Sequence, residues 1–177
     1  KMQELLVVEV IPREKGRTSI RFDNGMEVLL YKGEVRKLSL REGNVISREK
    51  YDEIIYEILG TRAKKRAMFL LERMDRTEHQ LREKLMQNGY PDVCVDLAVE
   101  YVRKYHYIDD LRYACSYVRY QKEKKSNRRL QQDLQKKGVA KEFIEQALLE
   151  EGNEDETDAI QRLLENCLLY TSDAADD

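Results

Sequence analysis

Two stretches of this chain spell the same helix. Thr77-Glu78-His79-Gln80-Leu81-Arg82-Glu83-Lys84-Leu85-Met86-Gln87-Asn88-Gly89 aligns without a gap on Ser126-Asn127-Arg128-Arg129-Leu130-Gln131-Gln132-Asp133-Leu134-Gln135-Lys136-Lys137-Gly138, 49 residues later. Each copy carries a hydroxyl residue that can cap a helix start, two leucines one turn apart, and a glycine where the helix should end. Start signal, apolar stripe and stop signal recur together, which argues for a repeated structural unit rather than leucines in phase by chance. A helix this short is marginal in water by itself, so each copy has to bury its stripe against neighbouring helices. The pattern therefore constrains the chain to a mainly α fold of tandem three-helix repeats in an elongated array.

The flanking segments complete the units. Ahead of the first copy, Ala67, Leu70, Leu71 and Met74 form the stripe of a helix from Thr61 to about Met74, and Thr77 with Gln80 makes a capping box. Pro91 suits the first turn of a third helix to about Lys104, with Val95, Ala98, Val99 and Val102 inward. The second unit opens at Asp109-Asp110, with Leu111, Ala114, Cys115 and Val118 inward to about Lys124. After Gly138, Phe143, Ile144, Ala147 and Leu148 give its last helix a face. The expected organisation is residues 61–108 as repeat 1, 109–152 as repeat 2, and 153–166 as the start of a truncated repeat 3. Residues 167–177 keep neither skeleton nor stripe and read as a non-native tail.

The first 45 residues read as a small antiparallel β cap. Leu5 to Ile11 is β-branched and apolar, Thr18 to Phe22 alternates, and Asp23-Asn24-Gly25 is a hairpin signal before Met26 to Tyr31. Gly33 is expected to break that strand, and Val35 to Leu40 to add a third. Residues 46–60 are expected to form a connecting helix capped by Ser47 and closed by Gly60.

Charge divides the chain more sharply than the net value of -2 suggests. Residues 1–60 balance at 11 basic and 11 acidic, residues 61–137 hold 19 basic and 11 acidic, and residues 138–177 hold 2 basic and 12 acidic. Such an asymmetry fits a charged partner, either nucleic acid or a protein surface. Three cysteines, 94, 115 and 167, form no metal-binding pair, and no apolar run approaches a membrane span. A soluble, reduced, cytoplasmic monomer with no membrane partner is expected.

Phosphate-binding, dinucleotide-binding and zinc-protease motifs are all absent. His79 reads as solvated, His106 as a turn residue, and the Asp109-Asp110 pair as a cap rather than a metal site. No catalytic residue, cofactor or metal is expected, and the chain is read as a non-enzyme. The candidate contact residues are instead cations with interleaved aromatics: Arg62 and Lys65, then Arg112, Tyr113, Tyr117, Arg119, Lys122, Lys124, Lys125, Arg128, Arg129, Lys136 and Lys137. Cations beside aromatics can meet phosphates and stack on single-stranded bases. A solvated face explains the cations equally well, and packing between helices is the preferred reading of the tyrosines.

At Tyr107-Ile108-Asp109-Asp110-Leu111-Arg112-Tyr113-Ala114, followed by Tyr117-Val118 and the Leu130–Leu134–Gly138 skeleton, the sequence resembles the RecX family, bacterial regulators of the RecA recombinase. The resemblance covers about residues 61–165, and one departure is His106, where members more often have glycine. It implies an array of three-helix units lying in the groove of the RecA–DNA filament, with DNA contacted inside that filament and no active site of its own. Inhibition of RecA ATPase and strand exchange, and through them regulation of recombinational repair, is the function so implied. Two other readings stay open on the residues alone: a stand-alone nucleic-acid-binding helical repeat protein, and a scaffold for an unrelated protein.

Overall fold

A computed structural model describes residues 4–153 together with 164, 167 and 168. The expected start of a third repeat and the expected tail lie almost wholly outside the described residues. Two compact units divide at Asp109 and Asp110.

The first unit opens with an antiparallel sheet of order β3-β2-β1-β4, from β1 (Leu5–Pro12), β2 (Arg17–Phe22), β3 (Glu27–Tyr31) and β4 (Val45–Ile46). The hairpin turn falls at the expected place, with Gly25 at φ 85° and the Asn24 Oδ1 accepting from the Met26 N–H at 3.0 Å. β1 and β2 pair with a shift in register between Val7 and Glu9. Alternate residues Val7, Ile20, Phe22, Val28 and Leu30 are fully buried, which is the period-two pattern of a sheet with one wet face.

The expected third strand does not form. Lys32–Lys37 is the short helix α1, with Gly33 inside it. The Glu34 carboxylate accepts from the Tyr31 N–H at 2.9 Å, securing the helix start, and Lys, Glu and Arg side chains favour helix over strand. Its end turns through Ser39 at φ 53°, with the Leu40 N–H bonded to the Val35 carbonyl at 3.0 Å. The missing partner strand is β4, two residues that sequence periodicity could not register.

Ser47 caps α2 (Arg48–Asp52) as expected, its hydroxyl accepting from the Lys50 N–H at 3.2 Å. Gly60, however, does not close the helix. The chain passes through a π-helical segment, Glu53–Leu59, directly into α3 (Gly60–Arg73), and Gly60 has helical angles of φ -61° and ψ -45°. The reason for glycine is close approach: a Cβ at position 60 would lie 3.3 Å from both the Ile55 carbonyl oxygen and the Leu97 side chain. That same carbonyl accepts from the Gly60 N–H and lies 3.2 Å from the Cys94 Sγ.

α3, α4 (Glu78–Gln87) and α5 (Asp92–Lys104) pack together as the first helical trio. Ala63, Ala67 and Leu70 from α3 meet Leu81 and Leu85 from α4, and Val95, Ala98, Val99 and Val102 from α5. Met74, expected inward, is 56% exposed because the chain has already turned extended there. The Thr77–Gln80 capping box forms at 3.1 and 3.2 Å. Gly89 takes φ 88°, and the N–H groups of Gly89 and Tyr90 close α4 on the carbonyls of Met86 and Leu85. Pro91 sits one position earlier than expected, as the residue just before α5. His106 closes α5 by the same arrangement at φ 60°, so a histidine stands where the backbone conformation favours glycine.

The second unit holds α6 (Asp110–Gln121), α7 (Asn127–Lys136) and α8 (Lys141–Glu151), each packed on the other two. Its described core is small: Ala114, Val118, Leu130, Leu134, Val139, Ile144 and Ala147. Ser126 accepts from the Arg129 N–H at 3.3 Å, and Gly138 at φ 83° ends α7, with the Val139 N–H on the Leu134 carbonyl. Cys115 and Leu111 are only half-buried, and Phe143, expected inward, is 38% exposed because Ile144 and Ala147 already fill the inward arc.

Candidate partner-binding surface

The predicted basic run lies at the corner where α6 turns into α7. Its centre is a buried carboxylate, Asp133, inside an otherwise apolar α7 face. The Tyr117 hydroxyl donates to Asp133 Oδ2 at 2.8 Å and accepts from Lys125 Nζ at 2.9 Å, while the same Nζ donates to Oδ2 at 2.7 Å. Arg129 Nε lies 3.2 Å from the other oxygen. A carboxylate removed from water has to be matched by donors of this kind. The hydrogen bond from Lys125, aided by that from Tyr117, holds the Asp133 carboxyl below its usual range, and the reverse interaction raises Lys125. Lys125 and Lys137 ammonium groups also stand 5.4 Å from the Tyr117 ring centroid.

Other predicted residues are committed to the fold as well. Arg119 grips Glu151 through two hydrogen bonds, 2.7 and 3.2 Å, tying α6 to α8. Those bonds raise Arg119 and lower Glu151, with Lys122 adding to the lowering of Glu151. Tyr113 packs half-buried on the unit's core, and Arg112 is exposed on α6. In the first unit, Arg62 donates to Glu34 at 2.7 Å and lies 4.7 Å from the Tyr31 ring centroid, whereas Lys65 is exposed. Of the predicted cations, Lys65, Lys122, Lys124, Arg128 and Lys136 make no ion pair or hydrogen bond among the described residues.

Sequence reasoning missed three features. Asp133 is one, although an acid beside the second leucine of a buried stripe is a signal that it needs partners. The Asn127 side chain clasps the Asn153 backbone, its Nδ2 donating to the Asn153 carbonyl at 2.7 Å and its Oδ1 accepting from the Asn153 N–H at 2.9 Å, while the Asn153 side chain donates to the Lys125 carbonyl at 2.8 Å. Phe69, 41% exposed on α3, lies between Arg66 and Arg73, whose guanidinium carbons stand 5.1 and 4.5 Å from its ring centroid. The helical spacing of those three residues could have revealed the last.

Among the described residues there is no cluster of side chains able to hold a metal and no helix long and apolar enough to cross a membrane. What remains is a class: a protein of tandem three-helix units behind a small β sheet, presenting charged helical surfaces. Comparison with known proteins makes it specific. Residues 63–101 match the model of the first three-helix domain of RecX, and residues 109–148 that of the second. The chain is 32% identical over 164 residues to Regulatory protein RecX of Caldanaerobacter subterraneus subsp. tengcongensis, covering 91% of this chain and 83% of that protein. It is 27% identical over 157 residues to Regulatory protein RecX of Clostridium beijerinckii, covering 89% and 74%. A crystal structure of regulatory protein RecX superposes with a TM-score of 0.54 at 24% identity, covering 82% of this chain and 73% of that one. That of RecX from Lactobacillus salivarius gives 0.51 at 23% identity, over 52% and 62%. The chain belongs to the RecX family.

Proposed function

We propose that this protein is a regulator that binds the RecA–DNA filament and restrains RecA's ATP hydrolysis and strand exchange, and so regulates recombinational repair. The observation that supports it is membership of a family of proteins named as regulators, joined to tandem helical units whose exposed cations suit a charged polymer. On this reading the α6–α7 corner is part of the contact surface. Asp133 neutralises Lys125 and Arg129 within the fold, leaving Lys124, Arg128 and Lys136 to meet carboxylates or phosphates of the filament. No catalytic step is required of the protein; its effect comes from favouring one state of the filament over another.

The test is a titration of the protein into RecA on single-stranded DNA at low salt, following ATP hydrolysis. Hydrolysis should fall as the protein is added, and an unchanged rate at excess protein would sink the proposal. The double variant Arg128→Glu with Lys136→Glu should need roughly tenfold more protein for the same effect, at about 0.5–1 kcal/mol per exposed charge reversed. An unchanged dose response would remove α7 from the surface while leaving the regulatory reading intact.

A further inference from the structure

We propose that the outward face of α3 is a binding surface for a nucleic-acid single strand. α3 carries Arg62, Lys64, Lys65, Arg66 and Arg73 against one acid, Glu72, within fourteen residues. Its buried residues, Gly60, Ala63, Ala67 and Leu70, occupy one arc of the helix, so the charge lies outside that arc. Arg62 is spent on Glu34, but Lys65 and Arg73 are exposed and reach no carboxylate among the described residues.

Phe69 decides what kind of polyanion this face suits. A phenyl ring 41% exposed has no group that can grip a phosphate, so it adds nothing to a simple phosphate-binding surface. Here it is flanked by two guanidinium groups, Arg66 three residues before and Arg73 four after, at 5.1 and 4.5 Å from its centroid. Arg66 is further steadied by Asn88, whose Oδ1 accepts from its Nε at 2.9 Å. The result is a preorganised arginine–phenyl–arginine group among unpaired cations. Bases of an unpaired strand stack on aromatic rings and on guanidinium planes while cations follow the backbone phosphates. A duplex hides its base faces and could use only the cations. On another flank of α3, Lys64 lies 5.5 Å from the Tyr101 ring centroid, and Tyr101 meets Tyr105, itself 52% exposed, in a tilted contact at 4.9 Å. An acidic polypeptide would satisfy the cations equally but has no use for the ring, so the strand is favoured.

The proposal is independent of the RecA reading, and its test contains no RecA. The whole chain is titrated into a fluorescent twenty-nucleotide oligothymidylate and anisotropy is read across a salt series, with a duplex of the same length and polyglutamate as competitors. Single strand should bind more tightly than duplex, and polyglutamate should displace it poorly. Phe69→Leu, which keeps an apolar side chain, should weaken binding roughly 5- to 150-fold, the range expected for one base–aromatic stack. Lys65→Gln should lower the salt slope by about 0.7, as loss of one phosphate contact on a single strand requires. Circular dichroism of each variant checks that the helices persist; should Phe69→Leu not fold, Phe69→Met takes its place. Equal binding of duplex, equal displacement by polyglutamate, or affinity unchanged in the folded position-69 variant would each overturn the proposal.

Discussion

Leu85 and Leu134 occupy the same place in the two copies of the repeated helix, and both are fully buried. Truncating either to alanine removes the same atoms, and a buried Leu→Ala change costs about 2–5 kcal/mol. The consequences should nevertheless differ. Leu134 belongs to a described core of seven side chains, two of them alanine and two valine, whereas Leu85 belongs to a core of twenty-three. At roughly 0.05–0.15 kcal/mol per residue, the about 45 described residues of the second unit hold only about 2–7 kcal/mol, against about 5–16 for the about 105 of the first. Leu134→Ala should therefore bring the second unit close to unfolding, while Leu85→Ala leaves the first folded. Hydrogen exchange read by mass spectrometry separates the two. In Leu134→Ala the amides of α6, α7 and α8 should exchange roughly 30- to 4,000-fold faster, with β1, β2, α3 and α5 still protected. If α7 keeps its protection, or if the first unit loses as much as the second, the assignment of separate cores is wrong.

Two further outcomes follow from the same contacts. Because the Lys125 hydrogen bond lowers the Asp133 carboxyl in the folded state, its stabilisation is fully present above the ordinary carboxyl value near 3.8 and is lost as pH falls through the lowered one. Urea midpoints followed between pH 6 and pH 2.5 should drop on the acid side, and Asp133→Asn should flatten that part of the profile; an unchanged slope would show that Asp133 is not the group responsible. Gly60→Ala, which on helix propensity should stabilise by roughly 0.5–1 kcal/mol, is instead expected to lower the thermal midpoint. The added methyl would press on the Ile55 carbonyl, which Cys94 and the Gly60 amide already hold, and on Leu97; a raised midpoint would contradict this packing.

Much of this protein is legible in its residue order because the signals are local. Thr77 with Gln80, Ser126, and the left-handed Gly89 and Gly138 each act within one turn of backbone, so their types alone mark where helices begin and end. The leucine stripe has a period that any helix must obey, which made Leu81, Leu85, Leu130 and Leu134 readable as core. The Asp23-Asn24-Gly25 turn is local in the same sense. Where expectation failed, the deciding contact lay elsewhere in the chain. Gly60 reads as a terminator in sequence, whereas its reason is Leu97, on another helix, which leaves little room for a side chain there. β4 exists only because β1 offers an edge to pair with.

The candidate surface divides along the same line. Residue order alone determined that the middle of the chain is basic and that two units share one helical pattern. It could not say which cations have work inside the fold, since that depends on the distance from Lys125, Tyr117 and Arg129 to a carboxylate on the next helix, and from Arg119 to one at the end of α8. Tertiary structure decided that Asp133 and Glu151 claim these side chains, that Lys124, Arg128 and Lys136 stay outward, and that Arg66 and Arg73 close on Phe69. The physical reason is that capping and periodicity are properties of neighbours along the chain, whereas the pairing of charges depends on distance in space.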